Sequence, residues 1–145
     1  MKGKFRKGVF ILTYRRGKGK AVYLLLKRKL HWIGWEFPKG GVEGKEIAKK
    51  TLVRELKEET GQKPIKIIRF NVRGKYKYSR RLIDRKGCIG QTYSLFAAEI
   101  KSKTIKLDKR EHSSYRWVNF KKAIELLRWP NQRKCLRIVN NKLEK

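Results

Sequence analysis

The segment from Gly40 to Gly61 constrains this chain more than any other part of its sequence. It reads GGVEGKEIAKKTLVRELKEETG. In a helix, the spacing of Glu55, Glu58 and Glu59 at i, i+3 and i+4 places their carboxylates on one face, within about 100° of arc. Like charges at that spacing destabilise an isolated helix, so we expect a cation to hold them together. A set of carboxylate ligands suits a hard divalent cation, either Mg²⁺ or Mn²⁺.

Other residues of the same segment can support this site. Arg54 directly precedes Glu55 and is placed to orient one of the carboxylates. Gly40 and Gly41 allow a tight turn and a close approach of the backbone to a metal or a phosphate. The alternative interpretation is a charged helix face that is simply solvated. The regular spacing of the whole segment favours the metal site.

That spacing resembles the Nudix box, and eight of its nine specified positions match. The matching residues are Gly40, Glu46, Arg54, Glu55, Leu56, Glu58, Glu59 and Gly61. The departure is Gln62, where the family prefers an aliphatic packing residue. The resemblance implies an α/β Nudix fold, with a mixed β-sheet in an α/β/α sandwich. It also implies that Glu55, Glu58 and Glu59 hold one to three Mg²⁺ (or Mn²⁺), while Glu46 and Arg54 brace the loop and the helix.

The residues before the box extend the resemblance. Residues 35–41, WEFPKGG, are similar to the segment that precedes the box in dinucleoside polyphosphate hydrolases. A related segment occurs in RNA decapping and 5′-pyrophosphohydrolase members of the family. This resemblance implies that the Gly40 backbone carbonyl is a metal ligand and that Lys39 contacts a substrate phosphate. We expect Trp35 to pack in the core.

A second, shorter resemblance lies near the end of the chain. Residues 111–118, EHSSYRWV, precede a short amphipathic segment, and this order is similar to diadenosine tetraphosphate hydrolases of the Nudix family. The resemblance makes Glu111 a candidate for an additional metal ligand or the general base, although a surface salt bridge is an equal alternative. Tyr115 is a candidate for stacking on an adenine, or for core packing. The candidate catalytic residues are therefore Glu58, Glu55, Arg54 and Glu111.

The charge of the chain favours polyanionic partners. It has 41 Lys and Arg residues against 12 Asp and Glu, a net charge of +29. Such a charge attracts nucleotide polyphosphates or RNA, but a bias shared by a whole proteome would give the same composition. Residues 75–78, KYKY, alternate cationic and aromatic side chains. This alternation predicts a strand that either binds nucleic acid or covers the core with its tyrosines.

The remaining pattern predicts one Nudix hydrolase domain over residues 1–145. We expect strands over residues 8–14, 21–29, 65–72, 73–83 and 91–100, the first two as a hairpin, and a loop over 84–90. Helices are expected over residues 46–60, with Leu52, Val53 and Leu56 buried, and over 131–142. No apolar run is long enough to span a membrane or form a signal peptide, so we expect a cytoplasmic protein without a membrane partner, as a monomer or homodimer.

These observations predict magnesium-dependent hydrolysis of a pyrophosphate bond in nucleoside diphosphate-linked compounds. The first expectation is asymmetric cleavage of diadenosine tetraphosphate to ATP and AMP, because it rests on both flanking resemblances. The alternative is removal of pyrophosphate from the 5′ end of RNA, which the charge and the KYKY alternation favour. A third reading is a non-catalytic RNA-binding protein with the Nudix fold, and the intact set of carboxylates argues against it.

Overall fold

Strands from all parts of the chain form one mixed sheet in the computed structural model, which describes residues 3–17, 19–78 and 87–144. In chain order, the elements are β1 (Lys4–Arg6), β2 (Gly8–Arg16), β3 (Ala21–Arg28), β4 (Gly34–Glu36), β5 (Lys39–Gly41), α1 (Ala48–Thr60), β6 (Lys66–Lys77), β7 (Cys88–Glu99), β8 (His112–Val118), α2 (Phe120–Leu126) and α3 (Pro130–Leu143). The main path of the sheet is β1-β7-β2-β3-β4, and β5, β6 and β8 pair with β2, β7 and β3. β7 runs parallel to β1 and β2, whereas the other pairs are antiparallel.

The central strand β2 separates two hydrophobic layers. Its first seven residues are buried, as expected for a strand that is covered on both faces. Phe10 and Leu12 point into a cluster with residues of α2 and α3. Val9 and Ile11 point the other way, into a cluster with residues of α1. The helices therefore cover opposite faces of the sheet, which confirms the predicted α/β/α sandwich.

The first helix differs from the prediction at its start and on one face. It begins at Ala48 rather than at residue 46, because Ile47 has an extended backbone with ψ 155°. Leu52 and Leu56 are buried, but the prediction for Val53 was wrong, since that side chain is 37% exposed. Val53 lies about 100° around the helix from Leu52, which carries it away from the core. The end at Gly61 is as expected for a glycine cap, with φ +75°.

The strands on the β6 side of the sheet also differ from the prediction. One strand of 12 residues, β6, replaces the two strands predicted on either side of residue 72. Its side chains alternate as predicted: Lys75 and Lys77 are exposed, while Tyr76 is half-buried against the core. The loop predicted over residues 84–90 is wrong at its end, because β7 begins at Cys88, and residues 79–86 lie outside the described residues. None of the described helices is long and apolar enough to span a membrane.

Candidate active site

The acidic face of α1 lies against β5 at a point where only glycine fits. The Glu55 carboxylate packs on the backbone of Gly40, and a Cβ atom at that position would collide with it. Gly40 pairs with Val9 of β2, so the sheet determines where this backbone lies. Only 12% of the Glu55 side chain is exposed. The structure therefore brings the predicted carboxylate and the predicted carbonyl residue together.

The guanidinium of Arg54 joins the loop before the helix to the carboxylates on it. Its Nε and Nη2 donate to Glu46 at 2.8 and 2.9 Å, and Nη2 also donates to the Gly41 carbonyl at 2.8 Å. Its Nη1 donates to Glu55 at 2.9 Å and to Glu58 at 3.3 Å. One cation thus offsets much of the repulsion within the acidic face. These contacts agree with the expected bracing of the loop by Arg54 and Glu46.

Glu59 is the most deeply buried carboxylate of the box, with 2% exposure. Its Oε1 accepts a hydrogen bond from the backbone N–H of Lys39 at 3.0 Å. Its Oε2 has no hydrogen-bond partner among the described residues. The Lys39 ammonium turns the other way, 3.5 Å from the Tyr76 hydroxyl and 3.8 Å from Glu36 Oε1. Lys39 therefore contacts Glu59 through its backbone, and Tyr76 and Glu36 through its side chain.

The environment separates the carboxylates by their affinity for protons. Burial raises the pKa of Glu55 to about 7, an increase that the hydrogen bond from Arg54 reduces and the charge of Glu58 enlarges. Burial also raises the pKa of Glu59 well above its ordinary value, and the charge of Glu36 adds to this effect. The hydrogen bonds from Arg54 instead lower the pKa of Glu46 to about 2. The two buried carboxyls of α1, Glu55 and Glu59, therefore gain most from a bound cation, because it offsets the cost of their ionisation.

A buried chain of polar side chains that the sequence analysis did not identify lies behind Glu59. Arg28 Nη1 donates to Glu36 Oε2 at 2.9 Å, and His112 Nε2 lies 2.8 Å from the same oxygen. Although burial raises the pKa of Glu36, the charges of Lys39 and Arg28 and the His112 hydrogen bond lower it to about 2. Arg28, Glu36 and His112 are at most 3% exposed. These polar residues stand at the ends of strands, and no local pattern connects them, because Glu36 and His112 are 76 positions apart.

The turn before β8 carries Glu111 and His112 to the same place. The backbone N–H groups of both residues donate to the Asp108 carbonyl, at 3.1 and 3.0 Å. Pairing between β3 and β8 then skips one residue, Ser113, so that Arg28 pairs with His112. Such bulges often redirect side chains next to functional sites. As a result, ligand atoms of Glu59, Glu111 and His112 all lie within 4.8 Å of one another.

A cavity of about 620 Å³ includes Lys39 in its lining. Its volume is in the range typical of small-molecule sites. Two aromatic pairs contribute to its walls: Trp32 and Trp129 have ring centroids 5.4 Å apart, and those of Tyr76 and Tyr78 are 6.2 Å apart. The cations in its lining are Arg28, Lys39, Lys75, Lys77 and Arg128. Aromatic faces and cations together suit a nucleotide, since bases stack and phosphates pair with cations.

The predicted site residues differ in how they are placed. Lys39 is part of the cavity lining, whereas Tyr115 is not and packs instead against the cluster that includes α1. Glu58 is on the outer side of the acidic face, with 52% of its side chain exposed. Glu111 lies near Glu59, as its expected role beside the box requires. Which of these groups bind metal or substrate stays a prediction.

The acidic face fits a hard divalent cation. Glu59 Oε2 is buried and unpartnered among the described residues. The Glu55 carboxylate lies directly against the backbone of Gly40, because glycine has no side chain that would keep it away. Oxygen atoms are the ligands that Mg²⁺ and Mn²⁺ prefer. Glu55, Glu58 and Glu59, with the Gly40 carbonyl, are the residues that would hold such an ion.

Comparisons with known proteins show what the chain is similar to. The NUDIX domain model matches residues 4–137. An RNA pyrophosphohydrolase of Pseudoalteromonas atlantica is 38% identical over 59% of this chain and 56% of its own length. One of Halorhodospira halophila is 34% identical over 70% of this chain and 62% of its own length. The chain thus spans less than two thirds of the length of these two relatives.

Among solved structures, an Ap4A hydrolase of C. elegans, determined as a binary complex, has a similar fold. It aligns with a TM-score of 0.76 and 23% identity, over 95% of this chain and 97% of its own. At that level of identity the similarity concerns the fold alone.

Proposed function

Because this chain belongs to the Nudix family, we propose that it hydrolyses a pyrophosphate bond at the 5′ end of triphosphorylated RNA. The family membership rests on a domain match that covers nearly the whole chain. The choice of RNA over a dinucleotide is supported by relatives that are named RNA pyrophosphohydrolase. It reverses the order in which the sequence alone ranked the two substrates.

The observation that carries this proposal is the cavity lined by aromatic and cationic side chains. The Trp32–Trp129 pair and the Tyr76–Tyr78 pair offer ring faces for the first bases of a single strand. Base stacking on an aromatic side chain contributes about 1–3 kcal/mol per base and tolerates different bases. Lys39 belongs to the cavity lining, and its backbone N–H donates to Glu59, so a nucleotide in the cavity would have its phosphates near α1.

Within this proposal the side chains have separate tasks. The cavity binds the bases, and Lys39 orients the phosphate chain. Arg54 keeps Glu55 and Glu58 in position through its hydrogen bonds at 2.9 and 3.3 Å. Glu111, which has a carboxylate oxygen within 4.8 Å of Glu59, would either bind the cation or accept a proton from an attacking water. When bound, a divalent cation neutralises phosphate charge and lowers the pKa of water.

A second candidate substrate is diadenosine tetraphosphate. The order EHSSYRW favours it, and the fold of the chain is similar to that of an Ap4A hydrolase. The same cavity would then hold an adenosine, and the products would be ATP and AMP. This substrate makes fewer phosphate contacts than RNA, so salt should weaken its binding less steeply.

A hydrolysis assay with product identification tests the proposal. Triphosphorylated RNA oligonucleotides and diadenosine tetraphosphate are compared in Mg²⁺ at several salt concentrations. We expect pyrophosphate or phosphate to be released from the RNA. We also expect the affinity for RNA to fall steeply as the salt concentration rises. ATP and AMP from the dinucleotide, with no release from RNA, would favour the second substrate. Binding of RNA without turnover of either compound would favour the non-catalytic reading.

A pair of variants tests the role of the cavity. Trp129→Leu removes a ring from the cavity, and we expect KM for RNA to rise by a factor that corresponds to about 1–3 kcal/mol. Trp117→Leu is the matched control, because Trp117 packs on the other face of the sheet. Equal effects of the two substitutions on KM would contradict base stacking in the cavity.

A further inference from the structure

Two polar side-chain atoms without a hydrogen-bond partner among the described residues face each other in the interior of this protein. His112 Nδ1 and Glu59 Oε2 are 3.8 Å apart, and neither has a hydrogen-bond partner among the described residues. His112 is 0% exposed and Glu59 is 2% exposed. Buried polar atoms in folded proteins nearly always have a hydrogen-bond partner, so two neighbouring atoms that both lack one need an explanation.

The other nitrogen of His112 determines the state of Nδ1. His112 Nε2 lies 2.8 Å from Glu36 Oε2, which Arg28 holds in a charged pair at 2.9 Å. A carboxylate paired with arginine only accepts hydrogen bonds, so Nε2 carries the proton. In the neutral imidazole, Nδ1 then has a free lone pair directed at Glu59. A carboxylate that accepts the distal N–H of an imidazole is typical of histidines that bind a metal through the other nitrogen.

We propose that Glu59, Glu111 and His112 form a mixed nitrogen–oxygen site for a divalent transition metal, with His112 Nδ1 as a ligand. Glu59 belongs to the box, and Glu111 is the additional ligand that the resemblance implies, so the new ligand is the His112 imidazole. The site does not depend on which substrate the protein hydrolyses. The ligand atoms of its three residues lie within 4.8 Å of one another.

The distance between His112 Nδ1 and Glu59 Oε2 suits such an ion better than it suits a shared proton. Bonds of about 2.1 Å in a tetrahedral site place two ligand atoms about 3.4 Å apart. The observed 3.8 Å between His112 Nδ1 and Glu59 Oε2 is close to that spacing. It is too long for a hydrogen bond, whose heavy atoms lie within about 3.2 Å. A proton on either atom therefore leaves the contact unsatisfied, whereas a metal ion satisfies both.

The donor set determines which ions bind. Imidazole nitrogen suits Mn²⁺ less well than Co²⁺ or Zn²⁺, but it suits all three better than Mg²⁺, which favours oxygen ligands. We therefore expect His112 to increase affinity for transition metals without a matching gain for Mg²⁺. Glu36 acts as the positioning residue, because it orients the imidazole.

Pulsed electron paramagnetic resonance of the full chain titrated with Mn²⁺ tests the proposal. The method detects the magnetic coupling of a nitrogen nucleus that is bonded to the ion. The chain has two histidines, His31 and His112, so the assignment needs only two variants. We expect imidazole coupling in the wild type, its loss in His112→Gln and its persistence in His31→Gln. Calorimetry should show the affinity for Mn²⁺ falling at least about 10-fold in His112→Gln, with a change below about 3-fold for Mg²⁺.

Each outcome decides the question without an activity measurement. If wild-type protein saturated with Mn²⁺ shows no imidazole coupling, the proposal is wrong. Loss of the coupling in His31→Gln alone would also overturn it. If His112→Gln does not fold, persistence of the coupling in His31→Gln still identifies His112, because no other histidine remains. A protein that binds Mn²⁺ through His112 but hydrolyses no RNA would refute the proposed function and leave this site intact.

Discussion

The pH dependence of stability in the metal-free protein is a direct test of how Glu55 is buried. Burial raises the pKa of Glu55 to about 7 from an ordinary 4.5. The folded protein then binds this proton more tightly than the unfolded chain does, so the proton stabilises the fold. That stabilisation is fully present below pH 4.5 and is lost as the pH rises through 7.

The size of the effect follows from the same two values. The difference of 7 − 4.5 = 2.5 corresponds to about 3 kcal/mol, at about 1.4 kcal/mol for each pKa unit. Little of this is lost to solvent screening, because the side chain is only 12% exposed. Between pH 5 and pH 8.5, the free energy of unfolding of the wild type should therefore fall by about 2–3 kcal/mol relative to Glu55→Gln, which cannot ionise.

Urea denaturation followed by tryptophan fluorescence, in a metal chelator, measures this difference at each pH. Comparison with the variant cancels the titration of groups that do not interact with Glu55. Glu125→Gln is the control, because Glu125 is an exposed carboxylate on α2 and should leave the pH dependence unchanged. Added Mg²⁺ should restore stability to the wild type above pH 7, since the ion favours the ionised carboxylate. Parallel curves for the wild type and Glu55→Gln would refute the reasoning.

Three further substitutions test other parts of the site. Glu58→Gln should abolish Mg²⁺-dependent turnover while circular dichroism stays unchanged, because the side chain is 52% exposed and the fold does not need it; near-normal activity would remove Glu58 from the metal site. Arg54→Lys should weaken Mg²⁺ affinity by about 10–100-fold in calorimetry, because lysine cannot make the paired hydrogen bonds to Glu46. Unchanged affinity would show that Arg54 is not needed to hold the loop and the helix together. Gly61→Ala should lower the free energy of unfolding by about 1–2 kcal/mol in urea, because the helix ends there at φ +75°, and a neutral effect would mean that the backbone relaxes.

The sequence by itself determined the features that depend on local periodicity. The spacing of Glu55, Glu58 and Glu59 predicted a helix with one acidic face, and Gly61 predicted its end. The apolar runs predicted the β2–β3 hairpin, and the alternation around Tyr76 predicted the two faces of β6. These predictions succeeded because 3.6-residue and two-residue periods are properties of the backbone itself. Val53 was misassigned because one helical position is enough to turn a side chain out of the core.

Only the tertiary structure decided which distant side chains share a site. Glu36 and His112 meet across 76 positions because β8 pairs with β3 and skips one residue there. Trp32 and Trp129 meet in the cavity because the loop after β3 and the start of α3 come together on one side of the sheet. A shift of one residue in strand pairing would turn the side chains of that strand to the other face. No local pattern specifies that register, because it is set by the packing of the whole sheet between its helices.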